Sequence, residues 1–157
     1  MPFAPKERGR ELKNIHVMLI PIKKKLRRET IEMALDVFVI LRDTLLSLHK
    51  FDQEKEHFYA ILLSRANKVM FIDEVAIGSS SAIIVTPKQV FRFAILKNAE
   101  SIIIAHNHPS GNLQPSKEDK ATTARLVEAG KIIGIPVLDS IIITPRNYLS
   151  FRGNKLM

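Results

Sequence analysis

Residues 102–119 read Ile102-Ile103-Ile104-Ala105-His106-Asn107-His108-Pro109-Ser110-Gly111-Asn112-Leu113-Gln114-Pro115-Ser116-Lys117-Glu118-Asp119. The first four residues are apolar and mostly β-branched on both strand faces, which is typical of a central strand covered on both sides. The residues that follow include two histidines, a glycine and two prolines, and they predict a loop. A helix is predicted to begin at Ser116. The stretch therefore predicts a strand, a loop and a helix in succession, with the histidines at the end of the strand.

The composition limits the chain to one domain of ordinary size. Its 157 residues, 46% of them hydrophobic, suffice for one core and are too few for two comfortable domains. The absence of cysteine excludes disulfides and thiolate metal sites, so any transition metal is held by nitrogen and oxygen. No apolar run approaches the roughly 20 residues of a membrane-spanning helix, and residues 1–8 lack the apolar segment of a signal peptide. We therefore expect a soluble cytoplasmic protein without a membrane partner.

The chain is basic, with a formal net charge of +8, and this charge favours polyanionic partners. Five bases stand close together in the first part of the sequence: Lys23, Lys24, Lys25, Arg27 and Arg28. One interpretation is a patch that binds the phosphates of DNA, with binding that weakens steeply as salt rises. The other is a solvated link into the following helix. The sequence leaves both interpretations open.

The remaining pattern predicts a loose arm followed by one domain. The arm covers residues 1–28 and includes a short extended segment at 15–22; the domain covers 29–157. Helices are predicted at 29–48, at 86–99 and from 116 to the break at Gly134; strands are predicted at 58–63, 69–77, 83–85, 102–105, 136–143 and 148–151. The first two strands are expected to form a hairpin, preceded by a linker that opens at Phe51. This order predicts an α/β fold, a mixed β-sheet flanked by helices, with a ligand site where a strand ends and a helix begins.

His106, His108 and Asp119 have the spacing of metal ligands. Alternate residues of an extended segment project to one side, so the two imidazoles face the same point, and Asp119 in the first turn of the helix turns back towards it. Two nitrogens and one oxygen leave the fourth position of a tetrahedral zinc site open for water, as in catalytic zinc sites.

Each member of this set also has a structural interpretation. Ser116 and Asp119 match the Ser-x-x-Asp capping pattern at a helix start, a role that is compatible with a role in the site. His106 is alternatively a hydrogen-bonded histidine at a strand end, and Asn107 and Gly111 are interpreted as ordinary turn residues. The combined spacing favours the metal interpretation.

Amide hydrolysis at such a site also requires a base. Zinc lowers the pKa of a bound water to about 7, but a further group must take the proton and deliver it to the leaving nitrogen. Glu56, at the start of the strand that contains Phe58, is the first candidate, and Glu54 is the second. Alternatively, both glutamates are solvated charges ahead of the strand.

These residues resemble the motif of the JAMM zinc metalloproteases, a distant glutamate followed by His-x-His-Pro-x-Gly-x-x-x-Pro-Ser-x-x-Asp. The form found here is similar to the RadC-type JAB domain of bacterial proteins known as DNA repair proteins. The similarity covers about residues 51–157 and includes the stretches Thr86-Pro87-Lys88-Gln89-Val90-Phe91 and Tyr148-Leu149-Ser150-Phe151. It implies a JAB/MPN, cytidine-deaminase-like architecture.

The resemblance also implies a function and a role for each site residue. One Zn²⁺ per chain would be bound by His106, His108 and Asp119, Glu56 would be the base, and Ser116 would donate a hydrogen bond to the oxyanion. The implied reaction is hydrolysis of a peptide or isopeptide bond in a protein or peptide substrate, with a role in DNA repair.

Two departures from the family leave a second function open. Residues 1–50 lack the glycine-hairpin pattern of the helix-hairpin-helix region found in longer members, and Ser140 follows Asp139 where the family usually has histidine. The alternative is a DNA-associated accessory protein in repair or mobile-element biology that uses the JAB fold mainly as a binding module. A zinc nucleobase deaminase is excluded, because its ligands include a cysteine pair.

Overall fold

A five-stranded mixed sheet forms the centre of the protein in a computed structural model that describes residues 30–78 and 83–157. The strands are β1 (Glu56–Leu63), β2 (Val69–Gly78), β3 (Ser101–Asn107), β4 (Val137–Ile143) and β5 (Tyr148–Ser150). Their order in the sheet is β2-β1-β3-β4-β5; β3 and β4 run parallel, and the other neighbours run antiparallel. The predicted mixed α/β sheet is therefore confirmed. The predicted arm, its extended segment and the basic cluster lie outside the described residues.

Helices cover both faces of the sheet. They are α1 (Ala34–Leu46), α2 (Lys50–Gln53), α3 (Pro87–Leu96) and α4 (Lys117–Ile133). Helix α1 packs on one face against buried residues such as Ile61 and Ile103, whereas α3 and α4 cover the opposite face, which includes Leu62 and Ile104. Every residue of β3 is buried, as expected for a strand with helices on both sides. None of the four described helices combines the length and hydropathy of a membrane span.

Most predicted elements are confirmed, including the β1–β2 hairpin, helix α3, the β4 strand and the short strand at Tyr148. Helix α4 begins after Ser116 and ends at Gly134, whose φ of 83° is the left-handed conformation that glycine adopts most readily. Strand β3 continues to Asn107, two residues beyond the prediction.

The prediction that the first helix begins at residue 29 is wrong, because Thr30 and Ile31 pair with the β1–β2 turn instead. Thr30 forms a β-bridge with Lys68, and the Ile31 N–H donates to the Asn67 carbonyl at 2.8 Å. The Asp36 carboxylate then accepts hydrogen bonds from the backbone N–H groups of residues 32 and 33, each at 2.9 Å. These contacts delay the helix until Ala34.

Two further predictions are wrong. The expected linker at Phe51 is the short helix α2, capped by the His49 side chain. Residues 83–85 do not form a strand; Val85 instead packs in the core beneath α3 and α4, and its carbonyl accepts a hydrogen bond from Arg125 at 2.8 Å. A local cap thus accounts for the first difference, and packing in the core accounts for the second.

A buried ion pair anchors the start of β1. The His57 Nδ1 lies 2.6 Å from Glu74 Oε1, and its Nε2 lies 2.7 Å from the Asp52 carbonyl oxygen. The Asp52 carbonyl can only accept, and an ionised Glu74 also accepts, so this arrangement favours the imidazolium form of His57, in which both ring nitrogens donate. Burial alone would lower the pKa of His57, but the hydrogen bonds to Glu74 and Asp52 outweigh it and raise the pKa. The pair therefore joins β1 to β2 and to the end of α2.

We expect Gly130→Ala to destabilise the protein by about 1–3 kcal/mol, although alanine normally favours a helix interior. A Cβ atom at Gly130 would lie 2.6 Å from the Ile135 carbonyl oxygen and 3.2 Å from the Phe91 ring, so α4 could not pack as closely on the sheet. Urea unfolding measures the change. The control Ile132→Ala, at a residue 87% exposed on the same helix, should change stability by less than about 0.5 kcal/mol. Equal effects of the two substitutions would contradict the close-packing explanation.

We expect the destabilisation caused by Glu74→Gln to decrease as the pH rises from 6 to 9. The folded-state pKa of His57 is raised above the unfolded value of about 6.5, so the charged pair stabilises the fold fully below that pH and loses this effect as pH rises through the folded pKa. Loss of a buried pair costs about 3 kcal/mol, which denaturant titrations at several pH values can measure. The control Glu100→Gln removes an exposed pair with Arg65 and should show little effect at any of these pH values. A pH-independent effect of Glu74→Gln would show that His57 is not charged in the fold.

Candidate metal centre

Three possible ligand atoms converge at the end of β3. His106 is the penultimate residue of that strand, His108 directly follows the strand, and Asp119 lies in the first turn of α4. The His106 Nε2 is 3.1 Å from the His108 Nε2 and 3.2 Å from Asp119 Oδ1, and the His108 Nε2 is 3.5 Å from Asp119 Oδ2. The structure thus brings together the three predicted ligands, whose role as ligands stays a prediction.

The separations of these atoms fit a tetrahedral zinc ion. Zinc bonds of about 2.0–2.1 Å in a tetrahedron place the ligand atoms roughly 3.3 Å from each other. The two histidine Nε2 atoms are 3.1 Å apart, and they lie 3.2 and 3.5 Å from different oxygens of the Asp119 carboxylate, distances that are close to this value. Two imidazole nitrogens and one carboxylate oxygen are also the donor types that zinc binds in catalytic sites.

The loop after β3 fixes the orientation of His108. Its Nδ1 lies 2.6 Å from the Asn112 carbonyl oxygen, and because a carbonyl can only accept, Nδ1 is the donor. In the neutral ring, Nε2 then carries the lone pair that faces His106 and Asp119. Gly111, with a φ of 82°, supplies the turn that brings the Asn112 carbonyl back towards the ring.

The start of α4 fixes the direction of Asp119. The Ser116 hydroxyl accepts a hydrogen bond from the Asp119 N–H at 3.0 Å, and Asp119 Oδ2 accepts one from the Ser116 N–H at 2.8 Å. The predicted capping role is therefore confirmed, and the same carboxylate also faces both histidines. Asp119 therefore takes part in the helix cap and also belongs to the cluster of possible ligands.

The electrostatics of His106, His108 and Asp119 favour the binding of a positively charged species. Burial alone would raise the pKa of Asp119, but the hydrogen bonds with His106 and His108 outweigh it and hold the pKa well below the usual range of a carboxyl group. The hydrogen bond with Asp119 raises the pKa of His108, against the effect of burial. A permanent negative charge between two imidazoles attracts either protons or a metal ion.

Glu56 reaches the same site, whereas Glu54 does not. A small cavity is lined by Glu56, His106 and Asp119, together with Phe58, Ile83, Thr122 and Thr123. Phe58 pairs with His106 across the β1–β3 ladder, and strand alternation places Glu56 on the same face. Glu54 is exposed at the end of α2 and does not line this cavity. Topology thus separates two glutamates that the sequence left as alternatives.

Several residues around the cavity were not predicted. Thr122 and Thr123 lie three and four residues after Asp119, so helical periodicity indicates that they share its face. The Thr123 hydroxyl donates to the buried Ser140 hydroxyl at 3.0 Å, which places Ser140 behind a residue that lines the cavity.

The interpretation of Asn107 as a turn residue is wrong. It is the last residue of β3, its side chain is buried, and it accepts from the His57 N–H at 2.6 Å and donates to the Lys55 carbonyl at 2.9 Å. Its partners stand about fifty residues earlier in the chain, so no local sequence pattern indicates these bonds.

Comparisons with known proteins identify relatives of the chain. UPF0758 proteins from two bacteria are similar to the chain: one from Desulforamulus reducens is 44% identical over 106 residues, 68% of this chain and 47% of that protein, and one from Rubrobacter xylanophilus is 41% identical over 130 residues, 83% and 55%. A UPF0758 protein from Methanosarcina acetivorans is 45% identical over 101 residues, 64% and 44%. The chain spans about half the length of these relatives.

A family model described as RadC-like JAB domain matches residues 31–156. This range includes the whole described sheet, the histidine loop and the start of α4. The matched range and the arrangement of strands and helices lead to the same conclusion: the chain belongs to the RadC-like JAB domain family.

Proposed function

We propose that the protein is a zinc-dependent hydrolase of peptide or isopeptide bonds of the JAMM type. The observation that carries this proposal is the convergence of three ligand atoms within 4.8 Å of one another beside a cavity whose wall also includes Glu56. A metal site next to a free carboxylate is the arrangement that metal-assisted amide hydrolysis requires. Membership of the JAB family supports the same reaction class.

The ligands of the ion would be His106, His108 and Asp119. When bound, zinc polarises the carbonyl group of the substrate and lowers the pKa of a water to about 7. The Asn112 carbonyl holds His108 in the tautomer that leaves Nε2 available, and the helix cap holds Asp119. These contacts preorganise the ligands before an ion binds.

Glu56 would transfer the proton of the reaction. Its carboxylate accepts a proton from the attacking water as the new C–O bond forms, and delivers it to the leaving nitrogen as the C–N bond breaks. The products are a carboxylic acid and an amine. Its position on the wall shared with His106 and Asp119 supports this role.

Ser116 would stabilise the oxyanion. Its hydroxyl oxygen accepts a hydrogen bond from the Asp119 N–H, and this bond leaves the hydroxyl hydrogen available to a substrate oxygen. The serine would thus cap the helix and donate to the developing negative charge.

Association with DNA is a second proposal, suggested by charge alone. Residues 1–29 contain nine of the 24 basic residues and three of the 16 acidic ones, so most of the excess positive charge lies in that segment. The cluster from Lys23 to Arg28 lies outside the described residues. A role in DNA repair or in mobile elements, as an accessory protein, therefore stays a prediction of the sequence.

We expect purified wild-type protein to contain one zinc ion per chain and His106→Ala to contain almost none. The reason is that His106 would contribute one of three protein ligands. Elemental analysis by mass spectrometry measures the zinc content. Removal of zinc by a chelator should lower the free energy of unfolding by about 2.7 kcal/mol. The reference is the protein at a free zinc concentration of about 100 times the Kd for zinc.

The matched control is His49→Ala, a histidine in the cap of α2. This variant should keep its zinc and its response to the chelator. Wild type that takes up no zinc after reconstitution, or His106→Ala that binds as much as wild type, would contradict the proposed site.

We expect Glu56→Gln to keep its zinc and to lower the rate of peptide hydrolysis by about 10²–10⁴-fold. Glutamine keeps the shape of the side chain but cannot accept the proton of the attacking water. The measurement is digestion of a peptide library that includes isopeptide-linked members, followed by mass spectrometry and then by kinetics on the cleaved member. The control Glu54→Gln changes a nearby exposed glutamate and should leave the rate unchanged. Equal loss in both variants would remove Glu56 from its assigned role.

A further inference from the structure

Asn107 lies between the two histidines but faces the other side of the sheet. Its side chain is 4% exposed, and strand alternation directs it away from the cavity and towards α1. Its Oδ1 accepts a hydrogen bond from the His57 N–H at 2.6 Å, and its Nδ2 donates to the Lys55 carbonyl at 2.9 Å. One amide side chain therefore holds the two backbone groups that flank Glu56.

These two bonds replace backbone pairing where the β1–β3 ladder ends. The last pair of that ladder is Phe58 with His106. Beyond it, the backbone after β3 bonds to β4, where the His108 N–H donates to the Ile143 carbonyl at 2.8 Å. The Asn107 side chain supplies a donor and an acceptor to the part of β1 that precedes Phe58. This part of β1 is thereby held to β3 although the backbone ladder has ended.

We propose that Asn107 is a positioning residue that fixes the Glu56 carboxylate relative to His106 and His108. The inference deepens the proposed function and rests on it. Both peptide groups beside Glu56 are held, so the direction of its Cα–Cβ bond is set. Asn107 is covalently joined to both histidines. The same residue therefore fixes the position of Glu56 relative to the two histidine ligands. A displacement of about 1 Å at a reacting group can lower a rate about 10²-fold.

Only a short amide side chain can make both bonds. Aspartate has the same shape and keeps the acceptor for the His57 N–H, but it places a second oxygen against the Lys55 carbonyl, where a donor is needed. Alanine removes both bonds without adding a charge. The pair of His57 with Glu74 holds the adjacent residue independently, which preserves the strand in either variant.

The kinetic test compares Asn107→Asp and Asn107→Ala with Asn98→Asp, a change at an exposed asparagine in the turn after α3. For both Asn107 variants we expect kcat to fall at least about tenfold on a peptide that wild type cleaves, with KM and zinc content within about twofold of wild type. In a Glu56→Gln background, the same substitutions should cause no further loss, because Asn107 acts through Glu56. An unchanged kcat, loss of zinc, or an equal loss in the Glu56→Gln background would overturn the inference.

A second measurement does not depend on hydrolysis. We expect the ¹³C signal of the Glu56 carboxylate, measured at fixed pH in protein as purified, to move in both Asn107 variants and to stay in place in Asn98→Asp. If wild type cleaves no peptide, the proposed function fails, while a moved Glu56 signal still supports the positioning by Asn107. An unmoved signal overturns the positioning whether or not the protein cleaves peptides. If Asn107→Asp does not fold, the uncharged Asn107→Ala provides both readouts.

Discussion

The antiparallel ladder between β1 and β3 is the constraint on which the candidate site depends most. It pairs Phe58 with His106, residues that are far apart in the chain. Because strand side chains alternate, this register places Glu56 on the face of His106, and His57 and Asn107 on the opposite face. A slip of one residue would move Glu56 to the α1 side. The two separate apolar cores oppose such a slip, since it would exchange their members.

A second constraint comes from α4, which joins the site to the other half of the sheet. The reciprocal bonds of Ser116 and Asp119 begin this helix and leave Asp119 Oδ1 directed at His106. Near the other end of the helix, Gly130 allows close contact with the chain that leads into β4. The position of Asp119 is thus set by the packing of a whole helix as well as by its cap. An acidic residue in the first turn also interacts favourably with the positive end of the helix dipole.

The sequence predicted the parts of the fold and site that depend on near neighbours. Strand β3, the histidine loop and the cap of α4 lie within one short stretch, where alternation and capping patterns are informative. Contacts between distant segments could not be predicted in this way. The bridge of Thr30 with Lys68 delays α1, and the pairing of β1 with β3 places Glu56 on the face of His106, whereas Glu54 lies at the end of α2. The bonds of Asn107 link positions about fifty residues apart.

The two faces of the sheet therefore have different roles at the start of β1. The cavity face carries Glu56 and His106, while the α1 face carries polar groups that are buried and satisfied, the pair of His57 with Glu74 and the amide of Asn107. Buried polar groups contribute little net stability compared with apolar residues of similar size, but they allow only one arrangement of their partners. Their concentration where the backbone ladder stops indicates that they serve geometry more than stability. The contacts that fix the start of β1 therefore lie on the α1 face, and they do not occupy the cavity face, where the proposed reaction takes place.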